Sequence, residues 1–314
     1  MKNKISVLIP FLNEEENITS LVEGLGNYFL ENRQIDAEVI FIDDGSKDKS
    51  VELLKNSKHN SYSCKIISLS KNYGSHAALR AGILNATGEY ICFMYADLQD
   101  PLALINQMLS ECEKGFDICW ATRTNTNNGF LEKTFSRVYS FLMKKYAIAS
   151  YPEKGFDIVM FNHKVKEQLN HNIEANSSLF LQILTLGFNQ ISIFYEKVAR
   201  IKGKSKWTLG KKIKLMIDSF VAFSYAPIRF VTVIGVSLFC IGIVWSLYLI
   251  LRKIIFNDLE SGWPALVSIL MIGFGITNIS LGIIAEYLWR TLDSSRKRPV
   301  FIINEIFEVK NESN

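Results

Sequence analysis

The sequence has 314 residues, with 35 Lys and Arg against 31 Asp and Glu and a net charge of +4. This length predicts about two structural units at roughly 150 residues each, and a hydrophobic content of 48% argues against an intrinsically disordered chain. The five cysteines include no CxxC pair, which argues against a zinc cluster or a disulfide framework and favours free thiols.

The N-terminal 200 residues alternate between two kinds of segment. Short β-branched runs occur at residues 5–9, 39–42, 66–69, 90–95 and 118–121. Polar segments of helical length lie between them, at residues 14–29, 48–56, 75–86 and 101–114. Strands that alternate with helices predict βαβ units, and therefore an α/β domain with a mostly parallel sheet.

Acidic and amide side chains follow four of the predicted strands, at residues 13–15, 43–46, 70–74 and 97–100. In a parallel sheet ligands bind at the carboxyl ends of the strands, so these side chains are expected to share one site. Neither GxGxxG nor GxxxxGK[ST] occurs, so the sequence lacks the glycine cradles that bind phosphates directly. Carboxylates at such a site would bind phosphates through a divalent metal, and oxygen ligands suit Mg²⁺ or Mn²⁺.

Residues 209–227 form the next predicted element. Apolar side chains recur there at helical spacing, opposite Lys211, Lys212 and Lys214. This pattern is typical of a basic amphipathic helix at a membrane surface, and the expected membrane span that follows favours this interpretation over a soluble surface helix.

Two uncharged runs of 22 residues each, at 230–251 and 264–285, follow within residues 228–290. Each run would be about 33 Å long as a helix, which is enough to cross a bilayer, so we expect two transmembrane helices at about 230–251 and 264–286. Lys and Arg are concentrated before the first run and after the second, whereas the connecting loop holds only Arg252 and Lys253. This asymmetry predicts that both termini, including the tail 291–314, are cytoplasmic.

The motifs of the N-terminal part carry a family resemblance. They are residues 6–10 with 13–15, 43–46 (Asp-Asp-Gly-Ser), 72–74 with 77–79, 88–90 and 96–101 (Ala-Asp-Leu-Gln-Asp-Pro). Together they resemble the inverting family 2 glycosyltransferases. The basic segment 200–212 and the two apolar runs narrow the resemblance to the polyprenyl-phosphate glycosyltransferases, which include dolichol-phosphate mannose synthase and bacterial undecaprenyl-phosphate enzymes.

The resemblance implies a Rossmann-like GT-A domain, here residues 1–208, that binds a nucleotide diphosphate sugar, most often a UDP sugar. By position, Pro10, Asn13, Glu15, Asp43 and Asp97 match the nucleotide-sugar contacts of the family. The remaining matches are Asp97 and Gln99 for the metal, Asp157 for the catalytic carboxylate, and Arg200, Ser205 and Lys206 for phosphate binding.

The implied acceptor is a polyprenyl phosphate such as undecaprenyl phosphate. The implied location is the inner, cytoplasmic membrane, with the catalytic domain in the cytoplasm and a role in cell-envelope glycan synthesis. No nucleic-acid partner is expected. The glycines of the two apolar runs permit helix association, so a homo-oligomer remains open.

Two positions depart from the family pattern. Tyr95 occupies the first place of the usual Asp-Ala-Asp, and Ile158 and Val159 follow Asp157 where many members have an aromatic residue and Arg. An alternative to an active enzyme is therefore a catalytically weakened or non-catalytic membrane protein that binds nucleotide sugar or regulates envelope synthesis. A processive polysaccharide synthase is disfavoured, because the sequence has neither a QxxRW-type motif nor further apolar runs for a channel.

Overall fold

A computed structural model describes residues 3–124, 130–148, 151–152, 158–174, 178–196, 262–296 and 298–309, with scattered residues between 231 and 255. The strands are β1 (Asn3–Phe11), β2 (Ile35–Asp43), β3 (Ser63–Leu69), β4 (Tyr90–Phe93), β5 (Ile118–Arg123), β6 (Ile158–Asn162), β7 (Gln190–Tyr195) and β8 (Ile303–Val309). The helices are α1 (Glu15–Glu31), α2 (Ser50–Asn56), α3 (Ser75–Asn85), α4 (Leu104–Glu113), α5 (Phe130–Tyr146), α6 (His163–His171), α7 (Leu179–Thr185) and α8 (Trp263–Ser295).

The eight strands form one sheet in the order β7-β5-β6-β4-β1-β2-β3-β8. Strands β1 to β4 pair in parallel, as do β5 and β7, whereas β6 and β8 run antiparallel to their neighbours. The expected α/β domain with a mostly parallel sheet is therefore confirmed. The five strands predicted from the sequence are all present, and β6, β7 and β8 are additional.

Helices cover both faces of this sheet, because its central strands are apolar on both sides. On β1, Ile5, Val7 and Ile9 face a core formed with α1, α2 and α4, whereas Leu8 faces a second core formed with α3, α6 and α7. The loops therefore lie at the two ends of the strands, and the loops that follow β1, β2, β3 and β4 share the edge formed by the carboxyl ends of these parallel strands.

At the edge of the sheet opposite the predicted site, the buried carboxylate of Glu38 connects β2 to β1 and to the loop before β4. Glu38 is 6% exposed and accepts hydrogen bonds from the Ser6 hydroxyl at 2.5 Å and from the Thr87 backbone N–H at 2.9 Å, with Lys65 at 3.5 Å. Burial disfavours the charged form, but the Ser6, Thr87 and Lys65 interactions outweigh it, so the pKa of Glu38 lies below its ordinary 4.5. Glu38 thus stabilises the folded protein while it is ionised.

We expect Glu38→Gln to lower the free energy of unfolding by about 1–3 kcal/mol at pH 7, because the substitution removes a charged acceptor from buried donors. A lowered native pKa contributes stability that is present above the unfolded pKa and is lost as the pH falls through the native value. The difference in the free energy of unfolding between Glu38→Gln and the wild type should therefore become smaller below about pH 4. Thermal melts between pH 3 and 7 measure this difference, and Glu31→Gln at an exposed position is the control. A difference that does not change with pH would contradict stabilisation by the ionised Glu38 carboxylate.

The apolar helix α8 is the only one in the described part of the chain that is long and apolar enough to cross a membrane, through Ile272–Leu292. The described residues of the first predicted span are helical, but much of that span lies outside the described residues, as does the amphipathic segment 209–227. One candidate span is thus present, and the two-helix hairpin remains a prediction.

Candidate active site

Three parallel strands bring the predicted residues to one edge of the sheet. Phe11 at the end of β1 pairs with Asp43 at the end of β2. On the other side of β1, the Met94 N–H, which directly follows β4, donates to the Leu8 carbonyl at 3.0 Å. Pro10, the loops that follow β1 and β2, and the turn that carries Asp97 therefore lie side by side.

Asn13 and Glu15 join the loop after β1 to the loop after β2. Asn13 has a φ of 51°, a conformation that Asn tolerates better than most residues. Its backbone N–H donates to the Ser46 hydroxyl at 2.8 Å, and its side-chain oxygen accepts from the Lys47 N–H at 2.8 Å. The Glu15 carboxylate accepts from the Lys49 N–H at 3.2 Å. In this structure both side chains shape the loops of the site.

Asp43 and Asp44 are the buried carboxylates of this edge, each 4% exposed. One oxygen of Asp43 accepts from the Ser46 N–H at 2.8 Å, which leaves acceptor capacity on the carboxylate. Burial raises the pKa of both groups, and the backbone N–H donors oppose that rise.

Asp44 is a residue that the sequence analysis did not single out. Its two oxygens accept from the Tyr73 N–H at 2.7 Å and the Gly74 N–H at 2.9 Å, so it fastens the loop after β3 to the loop after β2. Its position in the Asp-Asp-Gly-Ser motif was the available signal. We infer that Asp44 shapes the site through the loop after β3.

Asp97 and Gln99 lie on one tight turn after β4. Leu98 between them has a φ of 53°, which is unusual for a bulky side chain, and the Gln99 N–H donates to an Asp97 oxygen at 3.3 Å. Such outliers concentrate at functional sites. Both residues are half-buried, and their oxygen-bearing side chains are of the type that Mg²⁺ and Mn²⁺ prefer.

The turn therefore fits a metal that is completed by other ligands. Within the described residues no group of three His, Cys, Asp or Glu is arranged to hold a metal ion. Two protein oxygens with donor phosphates and waters would suffice for Mg²⁺, which retains several waters in many protein sites. Tyr95, at the position of the missing acid, packs half-buried against the core.

Four predicted site residues, Asp157, Arg200, Ser205 and Lys206, lie outside the described residues. Their described neighbours in the sequence can be located. Ile158 begins the antiparallel strand β6 opposite Ala121 near the carboxyl end of β5, at the same edge as the turn after β4. Tyr195 ends β7 opposite Arg123, at the end of β5.

A cavity of about 710 Å³ lies elsewhere, against β5, β7 and the ends of α5 and α7. Trp120, Ile148, Leu184 and Gln190 are among its lining residues, and none of the described lining residues is charged. The carboxylate-bearing edge, where Asp43 and Asp97 are described, is therefore the candidate active site.

The fold and the carboxylate-bearing edge are of the kind expected for a nucleotide-sugar glycosyltransferase, and comparison with known proteins supports the glycosyltransferase class. The family model described as "Glycosyl transferase family 2" matches residues 6–173. The chain is 30% identical to a prophage bactoprenol glucosyl transferase homolog of Escherichia coli, over 96% of this chain and 99% of that protein. It is 29% identical to an undecaprenyl-phosphate 4-deoxy-4-formamido-L-arabinose transferase of Proteus mirabilis, over 98% and 95%.

A solved structure of glucosyl-3-phosphoglycerate synthase from Mycobacterium tuberculosis, in complex with Mn²⁺, UDP-glucose and phosphoglyceric acid, is also similar. It has 19% identity and a TM-score of 0.47, and the match covers 69% of this chain and 79% of that one. The present chain belongs to glycosyl transferase family 2 and is a glycosyltransferase with an α/β domain of the GT-A type. The resemblance to polyprenyl-phosphate glycosyltransferases, expected from the motifs, is likewise confirmed.

Proposed function

We propose that this protein is a membrane-bound inverting glycosyltransferase that moves a sugar from a nucleotide diphosphate sugar, most often a UDP sugar, to a polyprenyl phosphate such as undecaprenyl phosphate. The observation that carries the proposal is the Asp97–Gln99 turn at the same carboxyl edge of the sheet as buried Asp43, with β1 between their strands, in a chain of family 2. The named relatives use acceptors of this lipid class, which supports the choice of acceptor.

The reaction needs a group that stabilises the departing nucleotide diphosphate. Asp97 and Gln99 would hold Mg²⁺ or Mn²⁺, and the ion would neutralise charge on that leaving group. A lipid phosphate has a second pKa near ~6 and is largely dianionic at pH 7, so it needs little help from a base. Asp157 would then orient the acceptor or the sugar, while Arg200, Ser205 and Lys206 would bind phosphate.

Strand β8 supports a two-span membrane topology. It lies beyond the apolar helix α8 in sequence and pairs with β3 of the catalytic sheet, and Lys55 contacts Glu305 of β8 at 2.8 Å. Only the seven residues 296–302 separate α8 from β8, a reach of at most about 25 Å. The C-terminal end of α8 must therefore lie on the same side of the membrane as the catalytic domain.

If α8 crosses the membrane, its N-terminal end lies on the far side, so the chain must cross once more between Tyr195 and Trp263. The uncharged run 230–251 is the segment suited to that crossing. The large apolar side chains of α8, such as Phe274 and Leu288 at 67% and 64% exposed, fit contact with lipid.

Cysteine labelling tests this topology. A cysteine at Ser261 should react with an impermeant thiol reagent added outside intact cells, and one at Asn311 should react only after the cells are opened. Four native cysteines are buried, so Cys240→Ser provides a low background for both variants. Labelling of Asn311→Cys in intact cells, or protection of Ser261→Cys there, would contradict the two-span arrangement.

The decisive assay incubates the full-length protein with undecaprenyl phosphate and a panel of nucleotide sugars, with and without Mn²⁺, and measures the lipid by mass spectrometry. We expect one sugar to be added to the lipid and the reaction to stop on chelation. A non-catalytic nucleotide-sugar binder is the second candidate, favoured by Tyr95 in place of an acid. It predicts nucleotide binding without any glycosylated lipid across the panel.

A further inference from the structure

A buried hydrogen bond joins β7 to the turn after β4 that carries Asp97 and Gln99, which we call the metal turn after its proposed ligand. The Tyr195 hydroxyl donates to an Asp100 carboxylate oxygen at 2.6 Å. Tyr195 is 6% exposed and Asp100 is 4% exposed. The metal turn follows β4, and Tyr195 ends β7, which lies three positions from β4 in the sheet. The hydrogen bond therefore connects two strand ends that are not neighbours in the sheet.

Tyr195 is itself held firmly. Its backbone carbonyl accepts from the Thr124 N–H at 2.9 Å and from the Thr124 hydroxyl at 3.1 Å, at the end of β5. The phenol ring packs in the core that contains α1 and α4. These contacts restrain the position of Tyr195, so its hydroxyl can restrain the metal turn in the same way.

Asp100 is the next residue after Gln99 on the turn. Leu98 holds a left-handed conformation, and such a conformation in a bulky residue persists only where the surroundings impose it. A short hydrogen bond to a buried carboxylate at one end of the turn supplies such a constraint. The directions of Asp97 and Gln99 then depend on where Asp100 is held.

We propose that Tyr195 and Asp100 are positioning residues that fix the metal turn relative to the end of β7. The inference rests on the proposed function in one respect, that Asp97 and Gln99 bind the metal and donor.

The variants Tyr195→Phe and Asp100→Asn test it. Tyr195→Phe removes the hydrogen bond with little change of shape, whereas Asp100→Asn keeps an oxygen acceptor and removes the charge that strengthens the bond. Tyr62→Phe is the matched control, because Tyr62 is 3% exposed in the same core and its hydroxyl bonds to His59 at 3.0 Å, away from the turn. Two quantities are measured on the full chain: hydrogen exchange of residues 95–101, and the Mn²⁺ concentration that gives half-maximal UDP binding.

We expect Tyr195→Phe to speed exchange at 95–101 and to raise the half-maximal Mn²⁺ concentration about tenfold. Asp100→Asn should have a smaller effect in the same direction, and the double variant should be no worse than Tyr195→Phe alone. Tyr62→Phe should leave both quantities unchanged at a comparable melting temperature. Unchanged exchange and Mn²⁺ dependence in Tyr195→Phe, with normal binding in the wild type, would overturn this inference alone. A wild type without any Mn²⁺-dependent UDP binding would overturn the proposed function and with it the metal part of this inference.

Discussion

Asp97→Asn is expected to lower sugar transfer by roughly 10²-fold or more while the protein remains folded. The substitution keeps the shape of the side chain and removes the only carboxylate that the sequence and the turn assign to the metal. Asp97 is half-buried on a turn outside the helices and strands, and asparagine retains an oxygen that can accept the hydrogen bond from the Gln99 N–H, so we expect the fold to be kept. Initial rates of lipid glycosylation at saturating Mn²⁺, with a thermal melt alongside, measure both effects.

Asp36→Asn is the matched control for that experiment. Asp36 is an exposed residue near the start of β2, at the edge of the sheet opposite the site, and the same change of charge there should leave the rate unaltered. Full activity of Asp97→Asn would remove Asp97 from the metal site. An equal loss in both variants would mean that net charge, not the site, governs the rate.

Gly45→Ala is expected to destabilise the protein by about 2–5 kcal/mol and to abolish nucleotide binding. Gly45 has a φ of 78°, which costs an L-residue roughly 1–2 kcal/mol. An added Cβ would also lie 2.7 Å from the Lys71 carbonyl carbon and 2.8 Å from the Asn72 nitrogen, and backbone atoms cannot give way as a flexible side chain can. The displaced loop is the one that Asp44 fastens, so the site should be lost with the stability.

Gly26→Ala gives the opposite result for the same substitution. Gly26 lies inside α1, and in the described part of the chain no atom outside the backbone of that helix lies within 4 Å of an added Cβ, so alanine should stabilise the helix by about 0.5–1 kcal/mol. Thermal melts and UDP binding of the two variants are compared with the wild type. A Gly45→Ala protein that melts and binds like the wild type would show that the close approach of the two loops is not required.

The first five strands could be predicted because each is a short apolar run between polar segments. The runs that became β6, β7 and β8 are weaker signals, since β8 in particular is exposed along most of its length and alternates with charged residues. Its place in the sheet depends on pairing with β3 from far along the chain, which local sequence patterns do not encode. The predicted helices shifted by a few residues at their ends, most at α4, which begins at Leu104 rather than at residue 101.

The predicted residues of the first four loops were brought to one edge because parallel strands end together. Their roles were less predictable. Asn13 and Glu15 hold loops through their side-chain oxygens. Asp44, which was predicted only as part of the 43–46 cluster and without a role of its own, holds the loop after β3. Sequence spacing places a polar group near a site, but only the surrounding N–H donors decide whether that group faces the loops or a ligand.

The sequence by itself determined the α/β alternation, the acidic and amide motifs after four of the strands and the apolar runs, because these follow from local composition and periodicity. The resemblance of its motifs indicated the class of the protein. The tertiary structure decided which carboxylates are buried, how Leu98 turns Asp97 and Gln99, and that Tyr195 reaches Asp100. It also decided that the chain returns from α8 to the sheet as β8. These features depend on contacts between residues far apart in the chain, and their energies arise only once the sheet has brought those residues together.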